Sequence, residues 1–169
     1  MYNRKPNRLK NCDYSAAGYY FVTLCVKDRI NWFGKIVKDE MELNEYGKTI
    51  KDYWLLVPEH YNNIAIDVYI IMPNHIHGII IINSNSVVGT EHCSVPTGNN
   101  HYGLLSKTIK SFKNVCTKHF RQQFNNNDFV WQRSFYDHII RNEESLKKVR
   151  EYIINNPLNW ALDEENDER

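Results

Sequence analysis

The sequence predicts an α+β fold, an antiparallel sheet with helices packed on it. Three observations carry this. Six short runs are rich in β-branched, aromatic or alternating apolar residues and bounded by turn residues. Three longer segments place their apolar residues at helical spacing. Strands and helices are interleaved along the chain, and no internal repeat is apparent.

The elements follow in order. "MYNRKPNRLKN" is basic and irregular, and residues 1–12 read as an arm. "YYFVTLCV" (Tyr19–Val26) is a buried strand, and "NWFGKIV" with "EMELN" forms a hairpin. "EYGKTIKDYWLL" puts Tyr46, Ile50, Tyr53 and Trp54 on one helical stripe, with Asn44 as N-cap and Pro58 as terminator. "IAIDVYIIM" (Ile64–Met72) and "HIHGIIII" are strands joined by the turn residues of "MPN". Residues 83–100 are rich in Ser, Asn and Gly and predict a mobile loop. A helix follows, with Leu105, Ile109, Phe112, Cys116 and Phe120 on its apolar stripe and Lys107, Lys110, Lys113 and Lys118 largely off it. "DFVWQRSF" is a short strand or extended segment. "NEESLKKVREYIINN" is the last helix, capped by Asn142, favoured by Glu143 and Glu144 at its positive end, and stopped by Pro157. The order β, hairpin, α, β, β, α, β, α is ferredoxin-like. Residues 1–169 are expected to form a single domain with an acidic tail at 161–169.

The net charge of +1 conceals strong segregation. Residues 1–38 hold eight Lys/Arg against two Asp/Glu, and residues 101–150 hold ten against four. Each basic segment is a candidate phosphate-binding surface or a plain solvated face. The cysteines at 12, 25, 93 and 116 match neither a metal pair nor a compact disulfide framework, and read as free thiols. With no apolar run of about 18 residues, the expectation is a cytoplasmic protein without a membrane partner.

Two histidines interrupt the apolar run "YIIMPNHIHGIIII". Strand alternation points His75 and His77 to one face, with Cα atoms about 6.6 Å apart, and sends Ile76 to the other. The pair could converge on one metal ion, or each ring could be satisfied by a backbone carbonyl. A candidate third ligand is Asn156, four residues after Tyr152 on one face of the last helix. Two neutral imidazoles and an amide oxygen would leave open positions, suiting Mg²⁺ or Mn²⁺ that also holds a phosphate oxygen. Tyr152 is then a phenol beside the metal, or simply a core aromatic. Asp67 is either a partner for a histidine or a surface carboxylate.

In combination, "YIIMPNHIHGIIII", the basic helix and "WQRSFYDHIIRNEESLKKVREYIINNP" resemble the single-tyrosine transposases of the HUH endonuclease superfamily. The resemblance runs from about Arg8 to Trp160. It is nearest the REP-associated tyrosine transposases and their transposase-like chromosomal relatives. It implies that His75 and His77 bind a divalent metal, that Asn156 completes the site, and that Tyr152 is the nucleophile. It implies cleavage and transfer of single-stranded DNA, commonly folded as a hairpin, through a 5′-phosphotyrosine. Arg4, Lys5, Arg8 and Lys10 on the arm, and Lys107, Lys110 and Lys113 on the helix, are then expected DNA contacts. Tyr136 and His138 are expected to be structural or DNA-contacting. Relatives act as monomers or homodimers, and a nucleoid-associated location follows. A domesticated, non-cleaving binder of DNA or RNA hairpins is the alternative.

Overall fold

The computed structural model describes residues 16–84, 103–162 and 166. The expected arm, most of the 83–100 loop and most of the acidic tail lie outside the described residues, and Arg4, Lys5, Arg8 and Lys10 lie there with them. In chain order the elements are β1 (Gly18–Cys25), β2 (Gly34–Val37), β3 (Glu40–Leu43), α1 (Glu45–Leu55), α2 (Val57–His60), β4 (Ile64–Ile71), β5 (His75–Ile82), α3 (Leu104–Gln123), β6 (Tyr136–Ile140) and α4 (Glu143–Ile154). A 3₁₀ helix, Pro157–Leu162, follows α4.

Four strands form an antiparallel sheet in the order β4-β5-β1-β6, while β2 and β3 make a separate hairpin. This is the ferredoxin-like arrangement. The two long connections, through α1 and through α3, bring both helices to one face, and their apolar stripes meet the even positions of β1 there. Tyr20, Val22, Leu24 and Val26 share that core with Ile50, Trp54, Ile76, Ile80, Ile109 and Phe112. The opposite face carries a smaller cluster of Phe21, Ile79, Ile140, Leu146 and Ile153, roofed by α4. The period of two in β1 and β5 therefore divides side chains between two unequal cores.

Local chemistry explains the element ends. Asn44 accepts from Gly47 N at 3.0 Å and Asn142 from Ser145 N at 2.8 Å, so both expected N-caps form. Pro58 does not simply stop α1. It occupies the first turn of the short α2, where its missing N–H costs nothing. The 128–135 segment, expected as a short strand or an extended stretch, makes one bridge, Val26 with Trp131, and the sixth strand starts at Tyr136. Gln132 N spends its bond on Cys25 O at 2.9 Å, after which the chain bends and rejoins β1 opposite Thr23.

Gly78 lies where β5 passes under Trp54. A Cβ there would stand 2.7 Å from Trp54 Cζ2 and 3.3 Å from Tyr69 Cβ. Trp54 is fully buried and has little room to retreat. Gly78→Ala should therefore cost about 1–3 kcal/mol of stability by overpacking. The check is urea unfolding, where the midpoint should fall at unchanged slope.

Candidate active site

The sheet face beneath α4 carries the two histidines. His75 and His77 flank Ile76 on β5, and their rings lie 4.4 Å apart, centroid to centroid. His75 is fully buried and His77 nearly so. Two buried imidazoles in an apolar run call for specific partners, and each has one.

Asn74 fixes His75. Its Nδ2 donates to Arg29 O at 2.9 Å, which turns Oδ1 toward His75 Nδ1, also at 2.9 Å. An amide oxygen only accepts, so Nδ1 carries the ring hydrogen and Nε2 keeps its lone pair. That Nε2 is buried and has no hydrogen-bond partner. Burial, reinforced by the Arg29 cation, pushes the imidazole down to about 3, so the ring is neutral at physiological pH.

His77 sits between two hydroxyls. Thr23 Oγ1 lies 2.9 Å from Nδ1, and Tyr152 Oη lies 3.2 Å from Nε2. Register explains the first contact, since Thr23 pairs directly with His77 across β1 and β5. The second depends on α4. Leu146 and Ile153 bury the helix against the sheet, and Arg150 Nε donates to Asp67 Oδ2 at 2.8 Å from its flank. Asp67 lies at the β4 bulge and serves as this anchor, so it is neither a histidine partner nor a plain surface carboxylate. Its hydrogen bond raises the Arg150 guanidinium above its usual value. With the helix so held, the Tyr152 ring is 5.2 Å from His77 and 6.0 Å from Phe21, yet stays 47% exposed.

Asn156 lies just past the end of α4, buried in the turn where Asn159 N donates to its carbonyl at 3.1 Å. Four residues before it, Tyr152 touches His77. Four residues after it, Trp160 lies 6.0 Å from the His75 ring. The turn that carries Asn156 is thus bracketed by contacts to both histidines.

The orphaned Nε2 of His75 is the test of whether these residues suit a metal. It is a neutral, oriented, buried lone pair beside a second imidazole, so the donor set fits a divalent ion. Among the described residues no group of three or more His, Cys, Asp or Glu side chains could hold one. Further ligands would have to be an amide, water or substrate oxygen, which is unlike a closed four-ligand zinc site.

Other expected residues fall elsewhere. Lys107 and Lys110 are exposed on α3. Lys113 is more enclosed, and its Nζ donates to Gln132 O at 3.0 Å and Ser134 O at 3.1 Å, which occupies two of its three donors. Burial pushes its ammonium down to about 8. Tyr136 and His138 are exposed on β6, on the histidine face, and Tyr136 lies opposite Thr23 with its ring 6.3 Å from Phe21. Sequence reasoning missed Thr23 and Asn74. Asn74 was visible as the polar residue of "MPN" next to His75, but its turn role hid its side-chain role. Of the cysteines, Cys25 and Cys116 are buried thiols outside any disulfide, and the other two lie outside the described residues. No helix among the described residues is long and apolar enough to cross a membrane.

No known family's sequence profile matches the chain. An uncharacterized protein of Haemophilus influenzae is 37% identical over 172 residues, covering 97% of this chain and 93% of that one. A second Haemophilus influenzae protein, described as a candidate REP-associated tyrosine transposase, is 26% identical and covers 86% of this chain and 73% of its own length. Among solved structures, a REP-associated tyrosine transposase bound to a REP hairpin superposes with a TM-score of 0.56 at 18% identity, over 90% of this chain and 74% of that one, a likeness of fold. The named relative and this solved structure both fall among the REP-associated tyrosine transposases, the branch that the sequence resembles.

His75 yields a pH prediction for the metal-free protein. Its folded value, about 3, lies below the ordinary 6.5, so the unfolded chain takes up a proton that the folded chain refuses. Its contribution is fully present above pH 6.5 and is lost as pH falls toward 3. The slope is about 1.4 kcal/mol per pH unit over that window. Urea unfolding in a chelator should show that His75→Gln loses less stability than wild type on acidification.

Proposed function

We propose that the chain, acting as one domain, is a metal-dependent single-strand DNA endonuclease and strand transferase that works on hairpin DNA. The observation that carries this reading is the Tyr152 hydroxyl held 3.2 Å from His77 within a single chain, beside the orphaned Nε2 of His75. Tyr152 is the nucleophile, and His75, His77 and Asn156 are the ligands of Mg²⁺ or Mn²⁺. When bound, the ion polarises the scissile phosphate and positions it for in-line displacement.

The chain's own groups do the rest. His77, held by Thr23, keeps the Tyr152 hydroxyl at its Nε2 in the metal-free chain; that lone pair would go to the ion, and the phenolic proton ends, by way of water, on the departing 3′ oxygen. The half-exposed phenol can reach a phosphate arriving from solvent. Tyr152 Oη forms a bond to phosphorus as the bond from phosphorus to the 3′ oxygen breaks. The products are a 5′-phosphotyrosine and a strand ending in a 3′-hydroxyl. A second 3′-hydroxyl can attack the phosphotyrosine, restoring the phenol and joining strands without ATP. Because all four groups belong to one chain, a monomer suffices for the chemistry. Lys107 and Lys110 are the described DNA contacts of this reading. The similar fold solved on a REP hairpin supports hairpin DNA as the substrate class, and the place of action in this reading is the nucleoid-associated cytoplasm.

A labelled hairpin oligonucleotide incubated with Mn²⁺ should yield a denaturation-resistant adduct that Tyr152→Phe abolishes. An adduct surviving in Tyr152→Phe would overturn the nucleophile. Cutting by Tyr152→Phe without an adduct would indicate a non-covalent nuclease. Hairpin binding that ignores metal, with no cutting, would indicate the non-cleaving binder. Independently of activity, Asn74→Ala should weaken Mn²⁺ binding about 10- to 100-fold, by analogy with other outer-shell partners of metal-bound histidines. Calorimetry on the free protein reads this directly.

A further inference from the structure

On the far side of the β6 edge, a groove runs between α3 and residues 129–135. Lys110, Asn114, Thr117 and Arg121 line one wall at helical spacing, spanning about 16 Å at 1.5 Å per residue. Arg133 and Phe135 line the other wall. No Asp or Glu lines the groove, and among the described residues no ion pair engages Lys110, Arg121 or Arg133. Three exposed cations therefore face one trough without a paired carboxylate among the described residues.

The floor is built rather than incidental. The Lys113 ammonium is fixed there by two backbone carbonyls, 5.7 Å from the Trp131 ring and 6.0 Å from the Phe135 ring. Lys113 has three donors, and those two carbonyls use two of them. Its burial without a carboxylate leaves the ammonium pushed down to about 8, and an incoming phosphate oxygen would relieve that. The chain then passes from groove to site in a single residue. Phe135 lines the groove, and Tyr136 begins β6 on the histidine face, where its ring and that of Tyr152 both pack edge-on to Phe21.

We propose that this groove is a track for single-stranded DNA, carrying the unpaired strand round the β6 edge by way of Tyr136 to the histidine face. Lys110, Arg121 and Arg133 contact its phosphates. The half-buried Phe135 ring offers a stacking surface for a base, a sequence-tolerant mode of single-strand binding. A discrete anion such as free phosphate would need one converging cluster, whereas Lys110 and Arg121 lie about 16 Å apart along α3 and Arg133 is on the facing wall. The proposal rests on the reading of the protein as a single-strand DNA enzyme; it shares Lys110 with that reading and adds Arg121, Arg133 and Phe135 on a surface away from the histidines.

The test is fluorescence anisotropy of the full chain with a short labelled poly(dT) oligonucleotide, in a chelator, over a range of salt. Wild type should bind with a steep salt dependence. The triple variant Lys110→Gln, Arg121→Gln, Arg133→Gln should lose roughly 10- to 100-fold in affinity, and its log–log salt slope should shrink by about 2, at about 0.7 per phosphate contact. Phe135→Ala should weaken binding several-fold, with Phe135→Tyr restoring it. Unchanged affinity and slope in a folded triple variant would overturn the track, as would equal binding of inorganic phosphate in competition. Tighter binding of the matching oligo(U) would overturn its assignment to DNA. If poly(dT) binding follows this pattern while hairpins never form an adduct, the track stands and the cleavage reading fails. If adducts form and the triple variant binds poly(dT) normally, the reverse holds.

Discussion

The site depends on the register of β5 between its two neighbours. Eight residues of β5 alternate between the deep core and the α4 face, and the pairing of Thr23 with His77 locks the phase. A slip of one residue would drive both imidazoles into the Trp54 core and put Ile76 under the helix. Gly78 helps prevent this, because only a residue without a side chain passes Trp54 at that point. The same constraint that makes the core compact presents two histidines as a pair.

Polar groups held in such a place are costly, and the structure offsets the cost unevenly. His77 has a hydroxyl on each nitrogen. His75 has a partner on Nδ1 alone, and its Nε2 is left in the interior. A buried acceptor without a partner costs about 1–3 kcal/mol. Asn74 makes the arrangement specific, because its own bond to Arg29 decides which atom faces the ring. Stability is given up at one atom, and that atom is a ready ligand.

The helix above completes the arrangement through contacts of different kinds. Apolar burial of Leu146 and Ile153 supplies adhesion, while the partly buried Arg150–Asp67 bond constrains how the helix sits. A partly exposed ion pair of this type adds little stability. Its value here is directional, since it flanks α4 on the β4 side while Tyr152 reaches toward β5. Beyond the opposite edge of the sheet, the bend at 132–135 does comparable work by handing the chain from the α3 groove to the tyrosine face. Lys113, bonded to both carbonyls at that bend, is a clamp as much as a cation.

Much of this was legible in one dimension. Alternation in β1 and β5, the stripe of α3, and the caps Asn44 and Asn142 are local patterns, and local patterns survive folding. The spacing of Tyr152 and Asn156 marked both for one end of α4 before any contact was known. Readings failed where the answer lay in a distant partner. Pro58 sits in the first turn of α2 because the chain continues helically beyond it, Asp67 meets a guanidinium 83 residues away, and Lys113 bonds to carbonyls of the bend before β6. The sequence by itself determined which faces the histidines and the tyrosine occupy, because side-chain periodicity belongs to the backbone. Only the tertiary structure decided that those faces meet, that Thr23 and Asn74 set the two imidazoles, and that Tyr136 shares their surface. Those facts depend on strand order and helix docking, which are set by packing summed over the whole chain.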